Sequence, residues 1–535
     1  MRKQNIFTRT TISMLVASSL AAMSVPAFAA TDAEIQQMQN EIKMLEQKLD
    51  AMKADVANTK ADVKKNEAAQ KETEAKVTKA EHYFNTDEAV RGLPTGGGVR
   101  VGGATLTFGG FLASETAYRS RSLQADISSP YGAIPFASTI ANNRYNQSEF
   151  RGTERQSRLS FEAKANVSPS IVATGYYEMD FLGAAVTANP NQSNSYQPRT
   201  RHVYANIDWL DSGFHLLAGQ TWSLATLQTE GLDAKHHWTP LTVDAQYSVG
   251  FDWLRQWQLR MTKDWGKKYW ASLSLENSQT HGIAGTLPAG VTPYSGVLAS
   301  PGGALFSANP YGLPVGAMSY NKYPDVILKL AADTSMGHYE IYDLSRNFQS
   351  SSTAVAGGPS VNTWTNALGL GAYIPVIPKV LDIQATYLNG KGIGRYGTTQ
   401  LNDGTYDATG AFMPLKGTHY LLGATWNANT DWVFYANYGL EKVDSNTYAC
   451  GAATCGFGDG TNLAQDSALK DAKNEIVGFW WSFYHGKFGA LKFGAQYTHA
   501  TLDAFNTTGA VAGAIPGVNS TTDNMLFTSI RYYPF

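Results

Sequence analysis

Two hydrophobic periods divide the chain. In the first, Ile35, Ile42, Leu49, Val56, Val63, Gln70 and Val77 recur at heptad spacing, and Met38, Leu45, Met52, Thr59, Asn66, Thr73 and Ala80 fill the second seam position. Glu, Lys, Gln and Asp occupy the positions between. An apolar seam sustained in this way predicts an α-helical coiled coil over residues 30–83, because a lone helix cannot bury the seam. Thr59, Asn66, Gln70 and Thr73 make its second half looser, and Met and Leu at one seam position leave dimer and trimer both open. Gly92-Leu-Pro-Thr-Gly-Gly-Gly98 then breaks the helix, which marks residues 84–101 as a Gly-rich linker.

From residue 102 the period is two. Leu159, Phe161, Ala163 and Ala165 alternate with Arg158, Ser160, Glu162 and Lys164. Ile171, Ala173, Gly175, Tyr177, Met179 and Phe181 alternate with Thr174, Tyr176, Glu178 and Asp180. Arg201, Val203, Ala205, Ile207 and Trp209 alternate with His202, Tyr204, Asn206 and Asp208. Such runs predict strands with one apolar and one polar face. They continue to the last residue, giving about sixteen strands. Tight turns near 166–169, 210–213, 264–268, 332–337, 375–379, 427–431 and 485–487 alternate with long Gly/Ser/Asn/Pro/Thr-rich connections.

Long structureless loops are unusual in a water-soluble domain but expected on the outer side of a membrane barrel. In lipid every backbone N–H and C=O needs a partner, so a spanning sheet has to close. The sequence therefore predicts an all-β transmembrane β-barrel of about sixteen antiparallel strands over 102–535, following the coiled coil. Trp209, Trp426, Trp432, Tyr438, Trp480 and Tyr532 are the expected interfacial aromatics.

The terminal run Asn524–Phe535 is expected to close the sheet by pairing with Phe488–Thr498 and Ala104–Tyr118. With Phe535 facing outward near the rim, strict alternation turns Arg531 toward lipid or a neighbouring subunit, and a bulge near Pro534 would reverse that parity.

The N-terminus places this barrel. Met1-Arg2-Lys3, an apolar core from Ile12 to Met23 and the cleavage pattern Ala27-Phe28-Ala29 make residues 1–29 a secretory signal peptide. Both ends of an even-stranded barrel, and the coiled coil with them, are expected in the periplasm and the barrel in the outer membrane. Cys450 and Cys455 stand in a Gly-rich loop, and an oxidising compartment favours a disulfide between them. Lys+Arg number 42 against 44 Asp+Glu, a balance that argues against a nucleic-acid partner.

No catalytic or cofactor-binding motif occurs, so neither an enzyme nor a cofactor is expected. His215, His338 and His419 are candidate bases only if a nucleophile lies in register with them. The polar strand faces supply the candidate pore-lining and substrate-selecting residues: Arg158, Glu162, Lys164, Glu178, Asp180, Arg199, Arg201 and Arg260. Such charges set the field in a constriction, and the arginine fork suits carboxylates. Loops 119–153 and 222–248 are the candidates for folding inward. A structural or adhesion role, with the coiled coil tethering the membrane to the cell wall, is the alternative to a channel.

Taken together, the signal peptide, the heptads of Ile35 to Ala80, the Gly-rich hinge, the run Gly-Gly-Ala-Thr-Leu-Thr-Phe-Gly-Gly-Phe at 102–111, the barrel and the terminal Phe535 resemble the DcaP-like trimeric porins of Gram-negative bacteria. The resemblance implies a homotrimer in the lipid and lipopolysaccharide of the outer membrane, one pore per subunit, and passage of small organic anions such as dicarboxylates.

Overall fold

The computed structural model divides into two units, residues 1–79 and 80–535. Described in the first are helical, exposed residues scattered between Gln36 and Lys53. In the second, residues 98–535 are described except 138–143, 184–196, 245–247, 282–292, 295–318, 320, 353–359, 459–468, 506–518 and 535. The signal peptide, the coiled-coil seam and Phe535 lie outside the described residues.

One antiparallel sheet of 19 strand pieces makes the barrel. Sixteen of them run round it: β1 (Ala104–Arg119), β2 (Arg158–Ser168), β3 (Ile171–Gly183), β4 (Gln197–Trp209), β5 (Phe214–Trp222), β6 (Arg255–Trp265), β7 (Tyr269–Glu276), β8 (Asp325–Thr334), β9 (Gly337–Ser352), β10 (Ser360–Ile377), β11 (Leu381–Lys391), β12 (Lys416–Asn427), β13 (Trp432–Val443), β14 (Leu469–Gly486), β15 (Gly489–Ala504) and β16 (Ser520–Tyr533). Each pairs with its neighbour in sequence, and β16 pairs with β15 from Ala490↔Tyr533 to Asp503↔Ser520. Its other edge pairs with β1 from Leu112↔Tyr532 to Arg119↔Met525, which closes the sheet with the strands the sequence indicated.

The three remaining pieces are short. Val99–Val101 folds back on Ala104–Leu106 and lengthens β1 on the side of β16. Pro293–Tyr294 adds to the far end of β9. Glu149–Thr153 pairs with the upper half of β1 while β2 pairs with the lower half. The ladder is interrupted between them, at Glu154–Ser157. There the Ala113 N–H donates to the Ser157 Oγ at 2.9 Å, and the Gln156 amide turns inward to donate to the Val243 carbonyl at 2.5 Å.

The two faces sort as the alternation requires. Phe108, Leu112, Leu159, Phe161, Val203, Leu328, Leu330, Leu368, Leu370, Leu422, Val477, Leu526 and Ile530 are exposed on the outer wall, where an apolar band meets lipid. At the tight-turn end this wall carries a cluster of rings: Trp432 stacks on Trp481 at 5.4 Å and lies 5.9 Å from Phe434, which stacks on Trp426 at 5.2 Å. Trp480 is not part of this girdle; it points inward, 8% exposed, and its Nε1–H donates to the Leu241 carbonyl at 2.8 Å.

Arg531 also departs from expectation. Leu526 and Ile530 take the outer face of β16, so Phe527, Ser529 and Arg531 point inward. There the Arg531 guanidinium donates twice to Glu115 Oε1, at 3.1 and 2.8 Å, and lies over the rings of Phe111 and Trp480. Inward is the side on which a fixed charge finds a partner.

Glu115 is 1% exposed and also accepts from the Ser529 hydroxyl at 2.8 Å, so the closing seam carries a buried ion pair. Removing one partner of such a pair leaves the other charge unpaired, at a cost of about 3–5 kcal/mol. Glu115→Ala is expected to lose this much in urea unfolding from detergent micelles, and Glu115→Ala/Arg531→Met is expected to recover most of it.

A loop-filled lumen as the candidate functional site

The interior is organised by the connection between β5 and β6. The described residues of this connection, 223–244 and 248–254, leave the strand tops, enter the lumen and return. Ser223, Leu224, Thr226, Gln228, Leu232, Ser248, Val249 and Phe251 are all fully buried. The descending and ascending limbs bridge at Gln228 and His237, with Trp238 N–H donating to the Leu227 carbonyl at 2.8 Å.

Wall residues from much of the circumference hold this loop. Backbone N–H groups of Leu224, Gln228, Val243 and Gly250 donate to Glu276 (2.8 Å), Glu340 (2.9 Å), Gln496 (2.6 Å) and Glu441 (2.7 Å), on β7, β9, β15 and β13. Lys329 on β8 donates to the Thr226 carbonyl at 3.0 Å and pairs with Glu340. Asp252 pairs with His419 on β12 at 2.6 Å. Buried backbone polar groups need partners, and the inward wall charges supply them.

Two glycines allow the loop to lie against the wall. A Cβ on Gly439 would stand 1.6 Å from the Val249 carbonyl oxygen, and one on Gly250, at φ +81°, would stand 1.9 Å from the Tyr420 oxygen.

The hairpin tip reaches toward the tight-turn end of the barrel. Gly231 N–H donates to Asp333, which also accepts from the Trp270 indole at 2.6 Å and pairs with His338 at 2.7 Å. Lys235 pairs with Glu162 of β2. The adjacent histidines at the tip are shifted in opposite directions. Burial works against a proton on His236, but Asp233 at 2.7 Å and Glu230 at 3.0 Å outweigh it and push the imidazole up to about 10. Burial, with Arg260 beside it, pushes His237 well below its ordinary value.

The described residues of loops 120–157 and 392–415 fill the lumen around this hairpin. Ile127, Tyr131, Ile134 and Phe136 from the first pack with Val243, Val249 and the inner wall residues Ile476, Trp480 and Phe527. Tyr396 and Asp403 from the second join Arg346 and Asp325, with Arg346–Asp403 at 3.0 Å and Arg346–Asp325 at 3.2 Å. Both loops named from the sequence therefore fold inward. The third was missed, because nothing in its Gly/Thr/Asn composition distinguishes it from an external loop.

The sequence-derived candidates separate into three groups. Glu178, Asp180, Arg199 and Arg201 form one network: Arg199 grips Asp180 at 3.0 and 2.6 Å, and Arg201 bonds Glu178 and reaches Asp180 at 3.3 Å. Arg158 lies over the Phe111 ring at 5.3 Å, within electrostatic reach of Glu178. Strict alternation put Arg201 on the face opposite His202, yet both are buried inside. The register shifts between Glu178 and Met179, so Arg201 is the extra residue of a bulge, which turns two successive side chains inward.

Glu162 and Lys164 sit lower on β2, Glu162 with Lys235 and Lys164 exposed. Arg260 is 2% exposed and bonds Gln258 and the Trp222 carbonyl at the root of the hairpin, away from any open surface.

Two arginines of the first group were missed. Arg155, in the break before β2, pairs with Asp126 at 3.3 Å. Arg255, the first residue of β6, lies over Trp222 and Trp253 and within reach of Asp180. This side of the lumen thus brings the guanidiniums of Arg155, Arg158, Arg199, Arg201 and Arg255 around the carboxylates of Asp126, Glu178 and Asp180.

The candidate bases His215, His338 and His419 each face an aspartate, with His215 between Asp208 and Asp264 at 2.7 and 3.1 Å. Among the described residues no group of three or more His, Cys, Asp or Glu could hold a metal ion. Above the lumen, the hairpin of Asn446–Cys450 and Ala453–Phe457 joins Cys450 to Cys455, with Cα atoms 5.8 Å apart.

The tip contacts predict a pH dependence. His236 is raised in the folded chain, so its stabilisation is complete below its ordinary value near 6.5 and is lost as pH rises through about 10. Thermal melts of His236→Gln and the unaltered protein should differ most at about pH 6 and converge above about pH 10. Gly439→Val should push Val249 off the wall at a cost of about 1–3 kcal/mol. A lower melting midpoint with a larger single-channel conductance is expected; an unchanged conductance would mean the loop does not narrow the passage.

No family model matches the chain, and no curated protein matches it by sequence. Among solved structures, it is similar to the outer membrane channel DcaP of Acinetobacter baumannii, at 16% identity over 82% of this chain and 99% of that one, with a TM-score of 0.56. An anion-selective porin from Comamonas acidovorans matches at 11% identity, over 80% of this chain and 99% of that one, with a TM-score of 0.44. OmpT of Vibrio cholerae matches at 11% identity, over 82% and 99%, with a TM-score of 0.41. The likeness to DcaP is one of fold, and it makes this chain a sixteen-stranded antiparallel barrel of the porin type, with an apolar outer band.

Proposed function

We propose that the protein is a passive diffusion channel for small hydrophilic solutes, with a preference for organic anions such as dicarboxylates. The observation that carries this reading is the inserted hairpin 223–254 beside a wall where five guanidiniums surround three carboxylates. A solute entering between loop and wall meets an excess of positive charge in a confined space, where a field acts strongly. The Arg199 side chain is 39% open, more than that of Arg155 or Arg201, and its fork suits a carboxylate. Arg158, Glu178, Asp180 and Arg201 shape the same field, Glu162 and Lys164 lie on the path below it, and Arg260 supports the hairpin.

The rest of the reading follows the chain order. Residues 1–29 direct export, 30–83 form a periplasmic coiled coil, 84–101 link it to the barrel, and subunits associate as a homotrimer through the coiled coil and the barrel wall. Apolar packing of loop 120–157 against the inner wall favours a second reading, a closed barrel with a tethering or adhesive role.

Reversal potentials in a salt gradient across a planar bilayer separate these. Anion selectivity is expected, with Arg199→Gln reducing the anion-to-cation permeability ratio by about 2–5-fold, the scale of one screened charge in a confined pore. Cation selectivity would overturn the anion preference, and absence of any conductance would favour the closed barrel.

A further inference from the structure

The hairpin is not held in the same way along its length. Glu276, Glu340, Glu441 and Gln496, which accept its backbone N–H groups, are all buried. The Asp252–His419 contact is sealed as well, with side chains 2% and 1% exposed. At the tip the contact is of another kind. Lys235 pairs with Glu162 of β2, and their side chains are 34% and 14% exposed. An ion pair open to water contributes little to stability, because hydration competes with it and salt screens it. Another charge can take such a pair apart.

Local structure fixes where this lysine stands. Asp233 Oδ1 accepts from the Lys235 and His236 N–H groups, at 2.7 and 3.1 Å, and closes a tight turn. Ala234 packs on Tyr176, Tyr204 and Leu217 of β3, β4 and β5. Lys235 is thereby directed to β2. Cross-strand register gives its level. Ser160, Glu178 and His202 form one inward row, and Glu162, Tyr176 and Tyr204 form the next row toward the tight turns. Successive inward rows are about 7 Å apart. The Lys235–Glu162 pair therefore lies one row below the Glu178–Arg201 bond. Lys164 stands one row lower again, opposite Thr174; it is exposed and makes no ion pair among the described residues.

A carboxylate descending from Arg199 and Arg201 meets Lys235 next. At this level two ammonium groups, Lys235 and Lys164, stand beside one carboxylate, Glu162. Lys164 and Glu162 are two residues apart on one face of β2, within reach of each other's long side chains. If a solute carboxylate binds Lys235 while Glu162 turns to Lys164, every charge keeps a partner throughout the exchange.

We propose that Lys235 is the carboxylate-receiving residue of the passage below the arginines, and that Glu162 is a tethered carboxylate which the solute displaces and which returns when the solute leaves. The assignment rests on the reading of the lumen as an anion path. An internal competitor on the receiving lysine keeps binding weak and release quick, which conduction requires.

The test uses the full chain in detergent. Lysines are acetylated by a small water-soluble ester, and the rates are read residue by residue by peptide mass spectrometry, with succinate as the probe solute. Succinate should slow acetylation of Lys235 in the unaltered protein and leave Lys267 and Lys379, exposed on the tight turns, unaffected. In Glu162→Gln the succinate concentration giving half-protection should fall about 3–5-fold, the weight of one exposed ion pair. No protection of Lys235, equal protection of Lys267 and Lys379, no acetylation of Lys235 in either protein, or weaker protection in Glu162→Gln would each overturn the assignment. Protection in the unaltered protein tests it without any substitution, so the result does not hang on the folding of the variant.

Planar-bilayer recording adds the direction. The anion-to-cation permeability ratio should rise in Glu162→Gln and fall in Lys235→Gln, each by about twofold. A shift in the same sense in both would make the pair a latch alone and overturn the exchange. Acetylation reads occupancy of Lys235 and needs no current, so a barrel that did not conduct would overturn the channel reading and leave the Lys235 result readable.

Discussion

The constraint on which everything else rests is that a backbone polar group in hydrocarbon has to be paired. A sixteen-stranded sheet meets it only if its two edges find each other. Here they do so through the eight register pairs from Leu112↔Tyr532 to Arg119↔Met525. The seam is also where the wall is least regular. The strand on the far side of β1 is broken at Glu154–Ser157, and the Ser157 hydroxyl substitutes for the missing ladder acceptor. Once the edges join, the inner and outer faces become different solvents. One face is set by lipid, and the other is free to carry the charges that anchor loops.

The interior shows how a wide barrel is filled. Side chains alone do not fill sixteen strands. The chain instead folds three of its own loops inward and satisfies their backbone with inward-pointing wall carboxylates and amides. Most inner charges serve this anchoring: Glu276, Glu340, Glu441 and Lys329 bind loop backbone, and Arg346 and Asp325 hold loop 392–415. The arginines beside Glu178 and Asp180 differ, since there guanidiniums outnumber carboxylates. The charges left over from anchoring are thus concentrated on one side of the inserted hairpin, while the rest of the inner wall acts as its support.

Much of this fold was legible because a strand between lipid and water has to alternate. Leu159/Phe161 against Ser160/Glu162, and the alternation of tight turns with long loops, gave the strand number, the closing partners and the side on which most charges face. Failures fall where the period breaks. The bulge at Arg201 brings it inside with His202, and no local signal in Arg-Thr-Arg-His announces it. The fit of Phe535 at the rim misled the parity of Arg531, whose preference for Glu115 over lipid decides the matter. Trp480 has the composition of a girdle residue, but its indole is committed to the Leu241 carbonyl of a loop distant in sequence. Arg155 and Arg255 lie at strand breaks and starts, where periodicity says nothing about direction.

The hairpin 223–254 has a mechanical consequence as well. A closed sheet of this circumference is soft toward flattening into an ellipse, since strands shear past one another at little cost while their bonds survive. The hairpin ties β7, β8 and β9 on one side to β12, β13 and β15 on the other through a single continuous backbone. It acts as an internal brace, held by the same bonds that keep the loop inside the lumen. Occupancy of the lumen and rigidity of the wall are therefore not independent: a change that withdraws the hairpin also leaves a more deformable cylinder.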